Sequence, residues 1–161
     1  HLEYAREAAA KFNNTYEKVF KEPKEMILPN VGVIPGTDGR KMSKSYGNTV
    51  PLFGSKDEIA KAVMSILTDS SKDKPENVYA IHKLIKSESE LEAFYKEHKG
   101  KYKALKEGLI ADLDAYIAPM REKRSSISDA DVTKVLLEGG EKAKEVSEAK
   151  MAVVRKAVGV R

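Results

Sequence analysis

The residues best suited to chemistry lie in one loop, residues 35–48, which we name the lysine loop. Two glycines flank a cluster of cations and hydroxyls: Gly39, Arg40, Lys41, Ser43, Lys44, Ser45 and Gly47. Glycine lets the backbone approach a ligand closely, and lysine is a compact charge suited to phosphate oxygens. Such a loop fits polyphosphate binding, and its glycines would let it open and close. An ordinary solvated basic turn has the same composition, and composition alone favours that simpler interpretation.

Composition excludes several other kinds of site. The 161 residues contain no cysteine, which excludes disulfides, cysteine–zinc sites and thiol catalysis. The three histidines, His1, His82 and His98, lack the spacing of metal ligands. No apolar run approaches the roughly 18 residues that a membrane helix needs. The net charge of +4 is compatible with a polyanionic partner without identifying one.

The segments around the lysine loop predict an α/β remnant at residues 1–54. A helix is predicted for residues 2–18, where apolar residues recur at helical spacing: Tyr4, Ala8, Phe12 and Tyr16. Residues 26–36 are apolar and punctuated by proline and glycine, which indicates a strand or an extended connection. The best strand candidate within them is Val31–Ile34. The composition changes near Gly54, and this boundary is uncertain by roughly 5–10 residues.

Residues 55–161 are predicted to form helices throughout, so the fold class is mostly α. Helix starts are predicted at four positions: Ser55, Pro75, Ser87 and Ser128. A long helix follows Gly100, and Pro119 should kink it or begin a new first turn. A last helix is expected from Glu141 to Val158, ended by Gly159. The sequence therefore predicts a helical bundle after the α/β remnant.

The order of residues in the lysine loop resembles a known family. Lys41-Met42-Ser43-Lys44-Ser45 matches the class I aminoacyl-tRNA synthetase loop, and its flanks resemble the tryptophanyl-tRNA synthetase branch. Other segments resemble that branch in family order: His1–Arg6, Ile34–Arg40, Tyr46–Asn48, Ile66–Ser70, Ala118–Arg124, Leu137–Ala143 and Val154–Gly159. The tyrosyl branch usually varies the Met-Ser pair and adds a further domain, so the tryptophan branch is favoured.

The resemblance implies a fold, a reaction and a set of residues. Residues 1–54 would be the C-terminal edge of a Rossmann-like catalytic domain, and residues 55–161 a helical tRNA anticodon-binding domain. The family activates tryptophan with ATP and Mg²⁺, the metal bound through ATP phosphates, and then loads tRNA(Trp). Lys41 and Lys44 would be catalytic by stabilising the leaving pyrophosphate, with Lys44 the stronger candidate. The other ATP-binding candidates are Met42, Ser43, Ser45, Val33 and Ile34, the last two through backbone near adenine.

Other family features are absent from these residues: the His-x-Gly-His element, the Asp-Gln pair and the tryptophan-recognition residues. We therefore expect a C-terminal fragment of a cytoplasmic, homodimeric enzyme that is inactive alone. The basic run Arg121, Lys123 and Arg124 is either a tRNA contact or a solvated helix end. A non-catalytic helical RNA-binding module is the alternative function, and a helical protein-interaction domain is the third.

Overall fold

Helices dominate the computed structural model, which describes residues 1–28, 31–68 and 74–160. Within these ranges the chain forms six α-helices: α1 Leu2–Thr15, α2 Lys56–Met64, α3 Glu76–His82, α4 Glu88–Glu97, α5 Tyr102–Ser125 and α6 Asp129–Ala157. A short 3₁₀ turn covers Lys44–Tyr46. The mostly α fold class is confirmed. None of the helices in the described residues is long and apolar enough to cross a membrane.

The strand predicted at Val31–Ile34 is wrong. Residues 31–33 form a turn and bends, with the Val31 N–H donating to the Leu28 carbonyl at 3.1 Å. The described ranges contain no strand, only an isolated antiparallel bridge between Pro35 and Lys41. A strand needs a neighbouring strand to accept its ladder bonds, and residues 31–33 have a turn and bends in its place.

The predicted helix starts are found where local capping chemistry specified them. Ser55, Ser87 and Ser128 each begin a helix with a capping box, in which serine and an acidic residue three positions on exchange hydrogen bonds. Pro75 immediately precedes α3. These signals depend on neighbouring residues only, so they survive any change in tertiary packing.

Helices α5 and α6 are each longer than the sequence predicts, and the helix expected from Glu141 to Val158 is the second half of α6. Pro119 lies inside α5, where the Arg121 guanidinium bonds back to Asp114 at 3.2 Å and braces the turn that lacks a backbone bond. The glycines at 139 and 140 lie inside α6, because their φ angles stay negative, so residues 129–157 form one helix. Gly159, with φ of 76°, follows the end of that helix as predicted.

Residues 27–126 form one compact unit with a helical core. Helix α5 packs against α2 and α3, and the core side chains recur at helical spacing: Ile59, Val63, Ile66, Val78, Ile81, Leu109, Leu113 and Ile117. Ile34, Met42 and Val50 pack against this core, which anchors both ends of the lysine loop to the helices. The predicted domain boundary near Gly54 is not tested by this grouping and stays a prediction.

The second unit comprises His1–Met26 and Ile127–Arg161. Its local order comes from Phe12, whose ring lies 5.0 Å from the rings of Tyr16 and Phe20. The Asn13 side chain fixes the chain after α1: its amide donates to the Phe20 carbonyl at 2.8 Å and its oxygen accepts from the Val19 and Phe20 N–H groups at 3.0 Å. Helix α6 has no buried residue.

Candidate functional site

The lysine loop begins as a tight hairpin. Across the bridge, the Gly36 N–H donates to the Arg40 carbonyl at 2.7 Å and the Met42 N–H donates to the Ile34 carbonyl at 2.8 Å. Gly39 occupies the turn with φ of 80°, a conformation that favours glycine. The hairpin thus places Arg40 and Lys41 after its turn, just before the Ser43 and Ser45 hydroxyls.

Asn48 holds the hairpin against the rest of the loop. It is 2% exposed, and its side-chain amide donates to Asp38 Oδ1 at 2.7 Å and to the Lys41 carbonyl at 3.3 Å. Its Oδ1 accepts from the Ser43 N–H at 2.8 Å, and its own carbonyl accepts from the Thr37 N–H at 2.9 Å. Asn48, at the C-terminal end of the loop, therefore bonds to the hairpin at its N-terminal end and to Ser43 in its middle.

Gly36 is required by this arrangement for a reason other than backbone freedom. A Cβ atom at position 36 would collide with the Asn48 side-chain amide. The glycine therefore creates the space that the buried amide occupies, and the two residues act as a pair.

Asp38 is an acceptor within the loop rather than a free acid. It accepts from the Asn48 amide, from the Arg40 N–H at 3.0 Å and from the Arg40 guanidinium at 2.7 Å. The hydrogen bond from Asn48, with the contacts from Arg40, holds the pKa of Asp38 below its ordinary value despite partial desolvation. Arg40 also lies 4.6 Å from the Tyr46 ring centroid, so its charge is engaged inside the loop.

Lys41 and Lys44, the predicted catalytic residues, are both exposed. Neither ammonium group has an ion-pair partner among the residues that the structure describes. Lys44 opens the 3₁₀ turn, which ends at Gly47 with φ of 65°. The Ser43 and Ser45 hydroxyls lie 2.8 Å apart and share a hydrogen bond. The loop therefore presents two uncompensated positive charges beside two hydroxyls, on a backbone that Asn48 braces.

The three apolar candidates take different positions. Met42 and Ile34 are half-buried and pack against the helical core, whereas Val33 is 70% exposed. Met42 and Ile34 therefore fasten the loop through their side chains, and the Met42 N–H also donates to the Ile34 carbonyl. Val33 alone of the three has a side chain that is free to meet a ligand.

Asn48 and its link to Asp38 are the features that sequence reasoning missed. In the sequence, Tyr46-Gly47-Asn48 carries only a family resemblance, and Asp38 before Gly39 is typical of an ordinary turn. The local signal was an asparagine directly after a glycine that closes a turn. Its bonding partners lie up to ten positions away, so no local pattern identifies them.

The basic run at the end of α5 is partly engaged within the unit. Arg121 pairs with Asp114 at 3.2 Å, and the Arg124 guanidinium lies 5.0 Å from the Phe53 ring centroid. Lys123 is exposed and has no hydrogen-bond or ion-pair partner in the described part of the chain. These contacts leave Lys123 as the free cation of the run.

The described residues contain no group of three or more histidine, cysteine or acidic side chains arranged to hold a metal ion. His82 is fully buried, between Tyr95 Oη at 3.2 Å and Asp112 Oδ2 at 2.8 Å. Lys86 bonds the other Asp112 oxygen at 2.8 Å. This network joins α3, α4 and α5, and it serves the packing of the helices.

The fold and the lysine loop together define a class of protein, the class I aminoacyl-tRNA synthetases. The family model described as "tRNA synthetases class I (W and Y)" matches residues 1–124, and the chain belongs to this family.

The relatives point to the tryptophan branch of that family. The tryptophan–tRNA ligase of Aquifex aeolicus is 37% identical over 174 residues, which cover 99% of this chain and 44% of that protein. The Fusobacterium nucleatum ligase is 36% identical over 171 residues, which cover 99% of this chain and 53% of that protein. The resemblance to tryptophanyl-tRNA synthetases is confirmed, and the chain spans about half the length of these relatives.

Solved structures agree with this assignment. Tryptophanyl-tRNA synthetase from Campylobacter jejuni, complexed with ADP and tryptophan, matches with a TM-score of 0.78 and 32% identity, covering 99% of this chain and 54% of that one. The Mycoplasma pneumoniae enzyme matches with a TM-score of 0.81 at 20% identity, which supports the fold alone.

Proposed function

We propose that this chain is part of an ATP-dependent ligase that activates tryptophan and attaches it to tRNA(Trp). The chain would supply the lysine loop and a helical tRNA-binding region. The observation that carries the proposal is the pair of exposed, uncompensated ammonium groups at Lys41 and Lys44, inside a chain that belongs to the synthetase family. A related ligase aligns with 99% of the chain at 37% identity.

The charges of the loop match the charge that the reaction develops. The tryptophan carboxylate attacks the α-phosphorus of ATP, and the bond to the bridging oxygen breaks, so negative charge accumulates on pyrophosphate. Lys41 and Lys44 would stabilise that charge as it forms, which is where preorganised cations lower a barrier. Neither ammonium group has a counter-ion within the part of the chain that the structure describes, so no ion pair there has to be broken first. Mg²⁺ would be bound mainly through phosphate oxygens and water.

The remaining loop residues would have supporting roles. Ser43 and Ser45 can donate hydroxyl hydrogen bonds to phosphate oxygens, because their mutual bond is exposed and can exchange for a ligand. Backbone groups near Val33 and Ile34 would border the adenine. Met42 would keep the loop seated on the helical core.

The direct test is Lys44→Ala in the full-length enzyme, assayed by tryptophan-dependent ATP–pyrophosphate exchange. Loss of one preorganised contact to developing charge typically lowers kcat by roughly 100- to 1,000-fold. Tryptophan affinity should stay nearly unchanged, because Lys44 acts on the triphosphate. Lys96→Ala is the matched control, since Lys96 is an exposed lysine on α4 that has no ion-pair partner in the described ranges. Unchanged exchange in Lys44→Ala would defeat the proposed role of the loop.

The helical part would bind the anticodon arm, whose unstacked bases offer surfaces for stacking and edge contacts. Lys123 is the member of the basic run with its charge free for a phosphate. Each neutralised phosphate makes binding more salt-dependent, so Lys123→Ala should reduce the salt slope of tRNA(Trp) binding by about one. The full-length enzyme would be a cytoplasmic homodimer.

A further inference from the structure

A buried lysine on α5 has backbone carbonyls in place of an acidic partner. Lys106 is 8% exposed, and its ammonium group donates to the Met64 carbonyl at 2.9 Å and the Ile66 carbonyl at 2.6 Å. No acidic side chain in the described ranges pairs with it. Burial lowers the pKa of Lys106, because removing the charged ammonium group from water costs free energy. The hydrogen bonds to the two carbonyls offset part of that cost.

The two carbonyls that accept from Lys106 lie within residues 64–67, and this segment is hydrogen-bonded to the lysine loop. Directly after Ile66, the Leu67 N–H donates to the Thr37 carbonyl at 2.8 Å. The Thr37 N–H in turn donates to the Asn48 carbonyl at 2.9 Å. A continuous set of hydrogen bonds therefore runs from α5 through residues 64–67 to the residue that braces the loop.

A second side chain fixes the same segment from α3. The Asn77 amide donates to the Leu67 carbonyl at 3.2 Å, so both backbone groups of Leu67 are engaged. The same amide nitrogen lies 3.1 Å from the position of a Cβ on Gly39, at the tip of the hairpin. Asn77 thus lies beside the tip of the hairpin and also bonds to the segment that supports the loop.

We infer that Lys106 and Asn77 are positioning residues that set the lysine loop through residues 64–67. The inference rests on the proposed function. Catalytic cations must be held to within about 0.5 Å, and that accuracy depends on the groups that support them. Residues 64–67 link the helical core to the hairpin, so their position determines where Lys41 and Lys44 can reach.

A purely structural role is the competing explanation, because Lys106 also caps the C-terminal end of α2. The two roles differ in what they change. Loss of a helix cap lowers thermal stability and leaves kcat intact at temperatures where the protein is folded. Loss of a positioning residue lowers kcat, leaves the KM for tryptophan constant and makes the loop more mobile.

The experiment uses the full-length enzyme with Lys106→Met, which keeps the apolar stem and removes both hydrogen bonds. A misplacement of about 1 Å can cost roughly 100-fold in rate, so we expect kcat for pyrophosphate exchange to fall about 10- to 100-fold. Amide hydrogen exchange of residues 36–48 should become faster. Lys103→Met is the control, since Lys103 lies on the same helix, is 78% exposed and has Glu107 as its sole ion-pair partner among the described residues.

Asn77→Ala is the second variant, because Asn77 lies in the first turn of α3, where truncation leaves the core intact. It should reduce kcat in the same direction and by a smaller factor. It decides the matter alone if Lys106→Met does not fold. Normal kcat and normal exchange of residues 36–48 in the folded variants would overturn the inference, and so would a drop in Tm without a drop in kcat. That result alongside an impaired Lys44→Ala would leave the proposed function standing.

Discussion

Replacing Asn48 with alanine tests whether the loop geometry, rather than its charge alone, supports activation. Alanine removes three side-chain hydrogen bonds, to Asp38, to the Lys41 carbonyl and from the Ser43 N–H. It removes no charge and leaves Lys41 and Lys44 in place. Any loss of rate must therefore come from where the loop holds its cations.

The size of the effect follows from burial. A hydrogen bond contributes about 1 kcal/mol net, and a buried group left without a partner costs about 1–3 kcal/mol. Asn48 is 2% exposed, but Lys41 is an exposed residue, so water can replace the bond that its carbonyl loses after truncation. We therefore expect the loop to lose about 2 kcal/mol of local stability, which corresponds to about a 30-fold change in an equilibrium constant.

The assay is tryptophan-dependent pyrophosphate exchange in the full-length enzyme, with amide hydrogen exchange across residues 36–48. We expect kcat to fall by up to about 30-fold and loop exchange to accelerate by a similar factor. The control is Asn13→Ala, because Asn13 also makes three hydrogen bonds but lies outside the unit that contains the loop. That control should lower thermal stability and leave kcat unchanged.

Asn48→Asp sharpens the test. It preserves size and the acceptor for Ser43, but it places a second carboxylate where the amide now donates to Asp38 at 2.7 Å. Two carboxylates at that distance repel, so this variant should be slower than Asn48→Ala near neutral pH. Wild-type kcat and wild-type loop exchange in both variants would refute the reasoning, because the loop would then hold its geometry without the buried amide.

Three further predictions concern the two glycine environments, the buried histidine and the chain by itself. Gly36→Ala should impair pyrophosphate exchange about as much as Asn48→Ala does, because its Cβ collides with Asn48. Gly139→Ala has open space around it and should raise helix stability by up to ~1 kcal/mol in thermal melts. Burial holds the pKa of His82 below 6.5 despite Asp112, so the unfolded chain binds more protons and stability should fall as pH drops through 6.5; His82→Gln should flatten that dependence, and an unaltered slope would contradict it. The isolated 161-residue chain should show no tryptophan-dependent pyrophosphate exchange, and robust turnover would disprove that expectation.

Sequence reasoning succeeded where structure is decided by near neighbours. The helix starts at Ser55, Ser87 and Ser128 depend on residues three positions apart, and all three were predicted. The sequence predicts a new helix from Glu141, directly after Gly139–Gly140, but α6 continues through both glycines. Glycine weakens a helix without requiring a break when the flanking residues favour it. The strand at Val31–Ile34 failed because pairing depends on a neighbour that local sequence does not specify.

The candidate site divides in the same way. The order of residues in the loop identified Lys41 and Lys44. Both are exposed, and neither forms an ion pair with a described residue. Lys106 looked like any other lysine in a charged helix, and its burial became visible only when α2 and α5 were packed together. Supporting residues are defined by tertiary contacts, so a single sequence does not distinguish them from solvated surface.

The two bare ammonium groups of the lysine loop have a practical consequence. Because neither forms an ion pair among the described residues, they raise the positive potential at the loop and attract small anions from the buffer. Phosphate and sulfate would then occupy the position of a triphosphate, and ionic strength would weaken attraction beyond a Debye length of about 8 Å at physiological salt. Apparent ATP affinity should therefore depend on the choice of buffer anion as well as on its concentration.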